Sequence, residues 1–297
     1  MEIRAIVTIP PYADFIREIA GHPLVAGFRL NTVMPIHETQ VEVLKRISQY
    51  GKPLWVDLKS RQLRVVGAAI PPFTDVELSH KIEVNTPVNA FFSDGNECVR
   101  IMSVNGNRII LEDGPKRLIG PGESVNIIDP SLKIEGTLTS TDISYLEAMQ
   151  IIGLNKVMLS YVESADDIEQ IKKYLPEAQI LLKIETIRGL AFVKKHKNQL
   201  GQLMAARGDL YIEMVRPHRI IHALNTIIQA DSQAFVASRI FDSLVHNPVP
   251  SSADISDAAW LISMGYRNFL FGDLICLQKD TILEGLNLLT AIAGQVL

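Results

Sequence analysis

Leu181-Leu-Lys-Ile-Glu-Thr186, followed after a helical spacer by Leu203-Met-Ala-Ala-Arg-Gly-Asp-Leu-Tyr-Ile-Glu213, is the stretch that decides the reading of this chain. Two apolar runs, 179–184 and 203–206, read as buried strands, and acids follow them: Glu185 and Asp209. In parallel α/β folds, chemistry gathers where strands end and helices begin. Lys183 and Glu185 are two apart, so in an extended segment they share a face. A buried charge is costly unless it is paired or meets a ligand. Glu185 and Asp209, on neighbouring strand ends, could share a small hard cation such as Mg²⁺. Arg207-Gly208-Asp209 reads as a turn whose glycine lets backbone N–H groups approach an anion. The plainer alternative is a structural salt bridge beside a tight turn.

Outward from this stretch the same rhythm recurs. Strands are expected at 3–8, 25–31, 54–58, 156–161, 179–185, 202–206, 234–238 and 268–272, with helices at 13–20, 38–50, 140–152, 165–175, 187–196, 217–229, 251–264 and 280–293. Thr139, Ser140 or Thr141 is a plausible N-cap for the third helix. Eight strand–helix units close a (β/α)₈ barrel. An open doubly wound sheet is the alternative, but no Gly-x-Gly-x-x-Gly follows the first strand. Between about Arg64 and Glu135 the helical pattern stops. Alternating segments and a hairpin around Asn105-Gly106 point to a small all-β module inserted after strand 3. The expected units are therefore a barrel from 1–63 and 136–297, and a lid from 64–135.

In a barrel the strand ends meet on one face. They bring together Arg29, Asn31, Asp57, Lys59, Lys183, Glu185, Asp209, Ser238 and Asp273. Hard metal ligands mixed with Arg and Lys suit a substrate bearing phosphate or carboxylate. His218 and His222 are four apart on a helix, but the intervening Arg-Ile-Ile lacks the glutamate of a metalloprotease.

Composition narrows the classes further. The chain has 29 Lys+Arg against 33 Asp+Glu, a formal charge of −4, and carries no basic run, so a nucleic-acid partner is not expected. No apolar run approaches the ~18 residues of a membrane span. The N-terminus lacks the pattern of a secretory signal, and Cys98 and Cys276 build no disulfide framework. A reducing cytoplasm is the expected setting.

Taken together, Lys183-Ile184-Glu185 and Ala206-Arg207-Gly208-Asp209-Leu210-x-x-Glu213 resemble the active-site core of the pyruvate kinases. Ordered matches run along nearly the whole chain. Residues 6–11, Ile-Val-Thr-Ile-Pro-Pro, resemble that family's opening strand. Arg29-Leu30-Asn31 resembles its Arg-Leu-Asn, and Asp57-x-Lys59 with Arg64 resembles its Asp-Thr-Lys-Gly-Pro-Glu-Ile-Arg. The β module falls where the family inserts its lid, with Val125-Asn126 at the exit. The resemblance implies that Glu185 and Asp209 hold Mg²⁺ or Mn²⁺, and that Lys183 stabilises the phosphoryl group in flight. Arg29 and Arg64 would hold phosphate, and the segment Ala206, Arg207, Gly208, Asp209 the carboxylate of phosphoenolpyruvate. Asn31 and Lys59 would line the substrate site, and Ser238 would replace a family threonine near the enolate. The match ends with the eighth helix, which implies a compact member without the family's C-terminal domain. The apolar last helix, 282–297, would pack on the barrel or form a homo-oligomer contact.

Departures cluster on one side. The family's monovalent-cation site keeps Asn31 and Asp57, but its two hydroxyl positions are Val33 and Leu58, which argues against K⁺ dependence. Gln62 replaces a glutamate, Met34 a histidine and Ser252 an arginine, and Glu123 stands near an expected lysine. The metal and enolate half looks intact, and the nucleotide half looks eroded. Three functions follow: a pyruvate kinase-like phosphotransferase using ADP/ATP or another acceptor, a metal-dependent lyase or aldolase acting on a 2-oxo acid enolate, and a non-catalytic metabolite-binding relative.

Overall fold

The computed structural model describes residues 2–68, 75–197 and 200–297; residues 69–74 of the expected lid lie outside the described residues. Eight parallel strands close a barrel. In chain order they are β1 (Arg4–Thr8), β2 (Val25–Asn31), β3 (Leu54–Leu58), β11 (Lys156–Leu159), β12 (Gln179–Ile184), β13 (Gln202–Ala206), β14 (Phe235–Ala237) and β15 (Asn268–Phe271). The numbers between β3 and β11 belong to the lid. The strands are apolar runs because both of their faces are buried.

Alternation along these strands builds two cores. Outward residues such as Val56, Leu182, Ala205 and Phe269 pack under the helices. Inward residues Ile6, Trp55, Met158, Leu181, Met204, Phe235 and Leu270 fill the barrel itself. Gly27 makes room for Trp55: a Cβ there would lie 3.0 Å from the Pro53 carbonyl and 3.5 Å from the indole. Two residues further along four of these strands, on the same inward face, stand the polar Thr8, Asp57, Ser160 and Lys183. The apolar plug is thus the floor on which the polar ring rests.

The helices are α1 (Ile16–Ala20), α2 (Gln40–Ser48), α3 (Ser140–Ile152), α4 (Ala165–Tyr174), α5 (Ile187–Lys195), α6 (Arg207–Glu213), α7 (Ile220–Ala230), α8 (Ser252–Ser263) and α9 (Lys279–Val296). Thr139 is the N-cap of α3 and forms a reciprocal capping box with Asp142. One expectation needs correcting. Arg207-Gly208-Asp209 is not an isolated turn but the first turn of α6. Seven residues with two apolar positions carry too little periodicity to declare a helix.

The lid is a five-stranded antiparallel sheet of order β4-β8-β7-β6-β9, formed by β4 (Asp75–Glu77), β6 (Val88–Phe92), β7 (Glu97–Asn105), β8 (Arg108–Leu111) and β9 (Val125–Ile127). The short β5 (Ile82–Glu83) pairs with β10 (Lys133–Ile134). The lid has its own core around Leu78, Phe92, Ile101 and Ile109. Its hairpin turns one residue later than expected. Asn105 pairs with Arg108, so Gly106-Asn107 is the loop, and Gly106 supplies the positive φ of +63°. Among the described residues no helix is long and apolar enough to cross a membrane.

Candidate active site

The strand ends open into a cavity of about 260 Å³ under the lid. Arg29, Asn31, Lys59, Arg64, Lys183, Glu185, Ala206, Gly208, Asp209 and Ser238 all line it. Arg207 does not. Its guanidinium turns outward, donating to the Ser238 carbonyl at 2.7 Å and pairing with Asp257 on α8 at 2.7 Å. It braces the loop after β14 and leaves the cavity to the backbone of its neighbours.

Asp57, fully buried, is the anionic centre. Arg29 pairs with it at 2.5 Å, Lys183 at 3.1 Å and Lys59 at 3.7 Å. Burial opposes its charge, but the cations Lys183, Lys59 and Arg29 outweigh burial and hold its carboxyl far below the usual carboxylate range. Arg29 also reaches Asp273 at 2.8 Å and Thr8 at 2.9 Å. Asn31 donates to Asp273 at 2.7 Å. Burial and the neighbouring Lys183, Arg64 and Arg29 bring the Lys59 ammonium down to about 7 against the pull of Asp57.

Lys183 stands between two acids and a hydroxyl. Its Nζ lies 3.1 Å from Asp57, 3.3 Å from Glu185 and 2.8 Å from Ser160 Oγ. Burial would lower its pKa, but Asp57 and Glu185 raise it, so the lysine stays charged. Glu185 is pushed up to about 7, by burial first and by Asp209 and Asp57 next, against the help of Lys183. β12 and β13 pair directly, which sets Glu185 beside the first turn of α6, where Asp209 stands.

Asp209 is held from three sides. Tyr161 Oη donates to it at 2.8 Å, Gln62 at 2.9 Å and Asn126 at 3.0 Å. Gln62 in turn accepts from Arg64 Nε at 3.1 Å, so the lid hinge and the barrel share one chain of polar contacts. Tyr161 also offers its backbone N–H to Glu185 at 2.8 Å. Sequence reasoning passed over Tyr161 and Ser160, although the polar Ser160-Tyr161 pair closing the apolar run 157–159 was the available signal. Asp142 was missed as well: fully buried, it accepts the backbone N–H groups of Lys59 and Ser60 at 2.9 and 3.0 Å and so fixes the loop carrying Lys59.

Backbone strain gathers at the same face. Ser60, Tyr161, Ser238 and Arg239 have φ of +51°, +54°, +70° and +58°. Non-glycine residues hold this conformation only where the surroundings impose it, and such positions concentrate at functional sites. Gly208 packs closely under Ser238, where a Cβ would meet Ser238 Oγ at 3.4 Å. The helix histidines stay apart from this site: His222 Nε2 lies 3.2 Å from Lys194 Nζ.

Glu123, the acid near an expected lysine, does not line the cavity. It accepts from Arg117 at 2.8 Å and from the Gly120 N–H at 2.7 Å, and also bonds Ser93. Partial burial opposes its charge, but the bonds from Arg117, Ser93 and Gly120 bring its carboxyl down to about 2.

Comparison with known proteins agrees with this geometry. The family model for the pyruvate kinase barrel domain matches residues 74–267, more than half of the chain. The chain is 24% identical to the pyruvate kinase of Borreliella burgdorferi over 301 residues, covering 90% of this chain and 62% of that protein. It is 24% identical to that of Methanocaldococcus jannaschii over 271 residues, 78% of this chain and 60% of that protein. With that of Agrobacterium vitis the identity is 31% over 215 residues, 70% of this chain and 43% of that protein. In each case less than two thirds of the relative is spanned. A closed parallel barrel, a β lid inserted after its third strand and the family match over 74–267 lead to one conclusion: the chain belongs to the pyruvate kinase barrel-domain family.

Proposed function

We propose that the chain is a pyruvate kinase-like phosphotransferase acting on phosphoenolpyruvate or a related enol phosphate, with ADP or an altered acceptor. The observation that carries this reading is the Lys183 ammonium, held between Asp57 and Glu185 in the cavity that also takes Asp209. Phosphoryl transfer asks a protein mainly for positioning and for positive charge on the transferring oxygens. Lys183, Arg29 and Arg64 would supply that charge. The backbone of Ala206–Asp209 would take the substrate carboxylate, and Ser238 would stand by the enolate. In the reaction the P–O bond of the enol phosphate breaks and a new P–O bond forms to the acceptor oxygen. The electron pair stays on the enolate, whose methylene carbon then takes a proton to give pyruvate.

The donor set fits a divalent ion. Glu185 and Asp209 are two buried carboxylates on one cavity; burial first, and then repulsion from Asp209 and Asp57, raise Glu185, and a cation beside them would offset both. Among the described residues no group of three His, Cys, Asp or Glu converges, so water and substrate oxygens would complete the sphere, as Mg²⁺ or Mn²⁺ prefers. When bound, the ion supplies charge stabilisation to the phosphoryl and enolate oxygens. A K⁺-independent site belongs to the same reading, since the Asn31 and Asp57 side chains are already engaged by Asp273 and by three cations. A cytoplasmic setting belongs to it too.

One observation favours a second reading, the metal-dependent lyase or aldolase. The lid brings Glu123, tied to Arg117, where the family resemblance calls for a lysine. Phosphorus NMR of the protein with phosphoenolpyruvate, Mg²⁺ and ADP, with and without K⁺, separates the readings. ATP and pyruvate from the wild type, and none from Glu185→Ala, are expected. Untouched phosphoenolpyruvate would move the function to 2-oxo acid cleavage, or to binding alone.

A further inference from the structure

On the far side of Tyr161 and Asn126 from the candidate active site lies a second cavity, of about 320 Å³. Its walls are largely apolar, with Leu63, Ile127, Leu132 and Ile134 among them. Its polar groups include Asn126 and Glu213. Asn126 is only 2% exposed. Its Nδ2 donates to Tyr161 Oη at 2.7 Å and to Asp209 at 3.0 Å. These partners fix the amide's orientation, because the opposite choice would set a carbonyl oxygen against a carboxylate. Oδ1 therefore points away from Asp209, and it has no hydrogen-bond partner. A buried acceptor left unmet costs stability, so its presence calls for an occupant. Glu213 is buried too, at 9% exposure, and burial, then Asp209 and Glu163, push its carboxyl up to about 8 against a hydrogen bond with Asn126 and the charge of Arg188. Among the described residues no basic side chain comes within ion-pairing distance of it. Of the arginines that also line the cavity, Arg61 pairs with Asp167, and Arg188 donates to the Pro130 and Leu132 carbonyls at 3.0 and 2.9 Å.

The site thus offers a carbonyl oxygen and a carboxyl group at one end and hydrocarbon along its walls. The complement is a cationic donor on a short apolar body. We infer that this cavity binds a small primary ammonium, its N–H groups directed to Asn126 Oδ1 and Glu213, and that its occupancy is felt at Asp209 through Asn126. A positive charge on the Asn126 carbonyl polarises the amide and strengthens its N–H bond to Asp209. The same charge opposes a second cation nearby. Bound ammonium therefore weakens divalent-ion binding at Asp209, and the ion weakens ammonium binding by the same factor. This second step rests on Asp209 as a metal ligand, as proposed above; the ammonium site does not.

The test titrates the intact protein with butylammonium chloride, with butanol, and with KCl at matched ionic strength, reading the melting temperature. Mn²⁺ binding is read separately by electron paramagnetic resonance. Butylammonium raises the melting temperature saturably, and butanol and KCl do not. Glu213→Gln, nearly isosteric, weakens that response about tenfold or more. Val215→Trp, at a 74% exposed position lining the cavity, blocks it without disturbing the core. Saturating butylammonium weakens Mn²⁺ binding by about fivefold. An equal response to butanol, or a butylammonium response indifferent to both variants, overturns the ammonium site. Unchanged Mn²⁺ affinity at saturating amine overturns the link to Asp209. Mn²⁺ binding that does not depend on Glu185, tested with Glu185→Gln, removes the metal reading instead, and the thermal titration still decides the cavity.

Discussion

The barrel and lid sides of the candidate site handle charge in opposite ways. On the barrel side, Asp57 is fully buried and shared by Arg29, Lys183 and Lys59, while Lys183 is shared again with Glu185. On the lid side, Glu123 meets Arg117, whose side chain is 42% exposed. Removing one partner from a buried network strands the others at large cost, whereas half-exposed pairs contribute little and exchange freely. The difference is plain at single positions: Glu123 on the lid finds a partner in Arg117, whereas a replacement at Lys183 would leave Asp57 and Glu185 without their shared cation.

Variants can break that contrast or sharpen it. The largest effect is expected at Lys183→Met, which removes the one cation that, among the described residues, pairs with both Asp57 and Glu185; turnover of phosphoenolpyruvate should fall by ~10³-fold with substrate binding less affected. Steady-state kinetics check this, and a loss below tenfold would place the chemistry elsewhere. Next is Asp57→Asn, which leaves three buried cations short of their shared anion. Chemical denaturation should show a loss of about 3 kcal/mol. Tyr161→Phe removes one of three donors to Asp209 while keeping the packing. Mn²⁺ affinity should drop by about tenfold, as for other groups that orient metal ligands.

The smallest effect lies on the lid. The folded-state pKa of Glu123, about 2, is below its ordinary value of 4.5. Its contribution is therefore complete above pH 4.5 and is lost as pH falls towards 2. Hydrogen exchange of the lid amides should record that loss in the wild type and a flatter profile in Glu123→Gln. Equal profiles would mean that the Arg117 pair contributes nothing to the lid.

Much of the fold was legible because buried parallel strands leave apolar runs and polar ends. The strands over 25–31, 54–58 and 202–206 coincide with those observed. The axis of the site was legible too, since Lys183 and Glu185 share a face by their spacing alone. Other features depend on closure. Tyr161 turns towards Asp209 through a positive φ that no periodicity announces. Asn126 reaches Asp209 only because the lid folds back over the barrel. Arg207 was assigned to the substrate segment by resemblance, but the start of α6 sends its side chain outward to Asp257. The hairpin slipped by one residue because Asn-Gly marks a turn without fixing which residue begins it.

The central claim is that the barrel side holds an enolate whatever the lid has become. The direct measurement follows pyruvate in D₂O by proton NMR, with Mg²⁺ and inorganic phosphate and without nucleotide. Exchange of the methyl protons requires the enolate but no phosphoryl acceptor. The account predicts exchange well above the protein-free rate, lost in both Glu185→Ala and Lys183→Met. Exchange no faster than in buffer, or exchange that survives both substitutions, would contradict it.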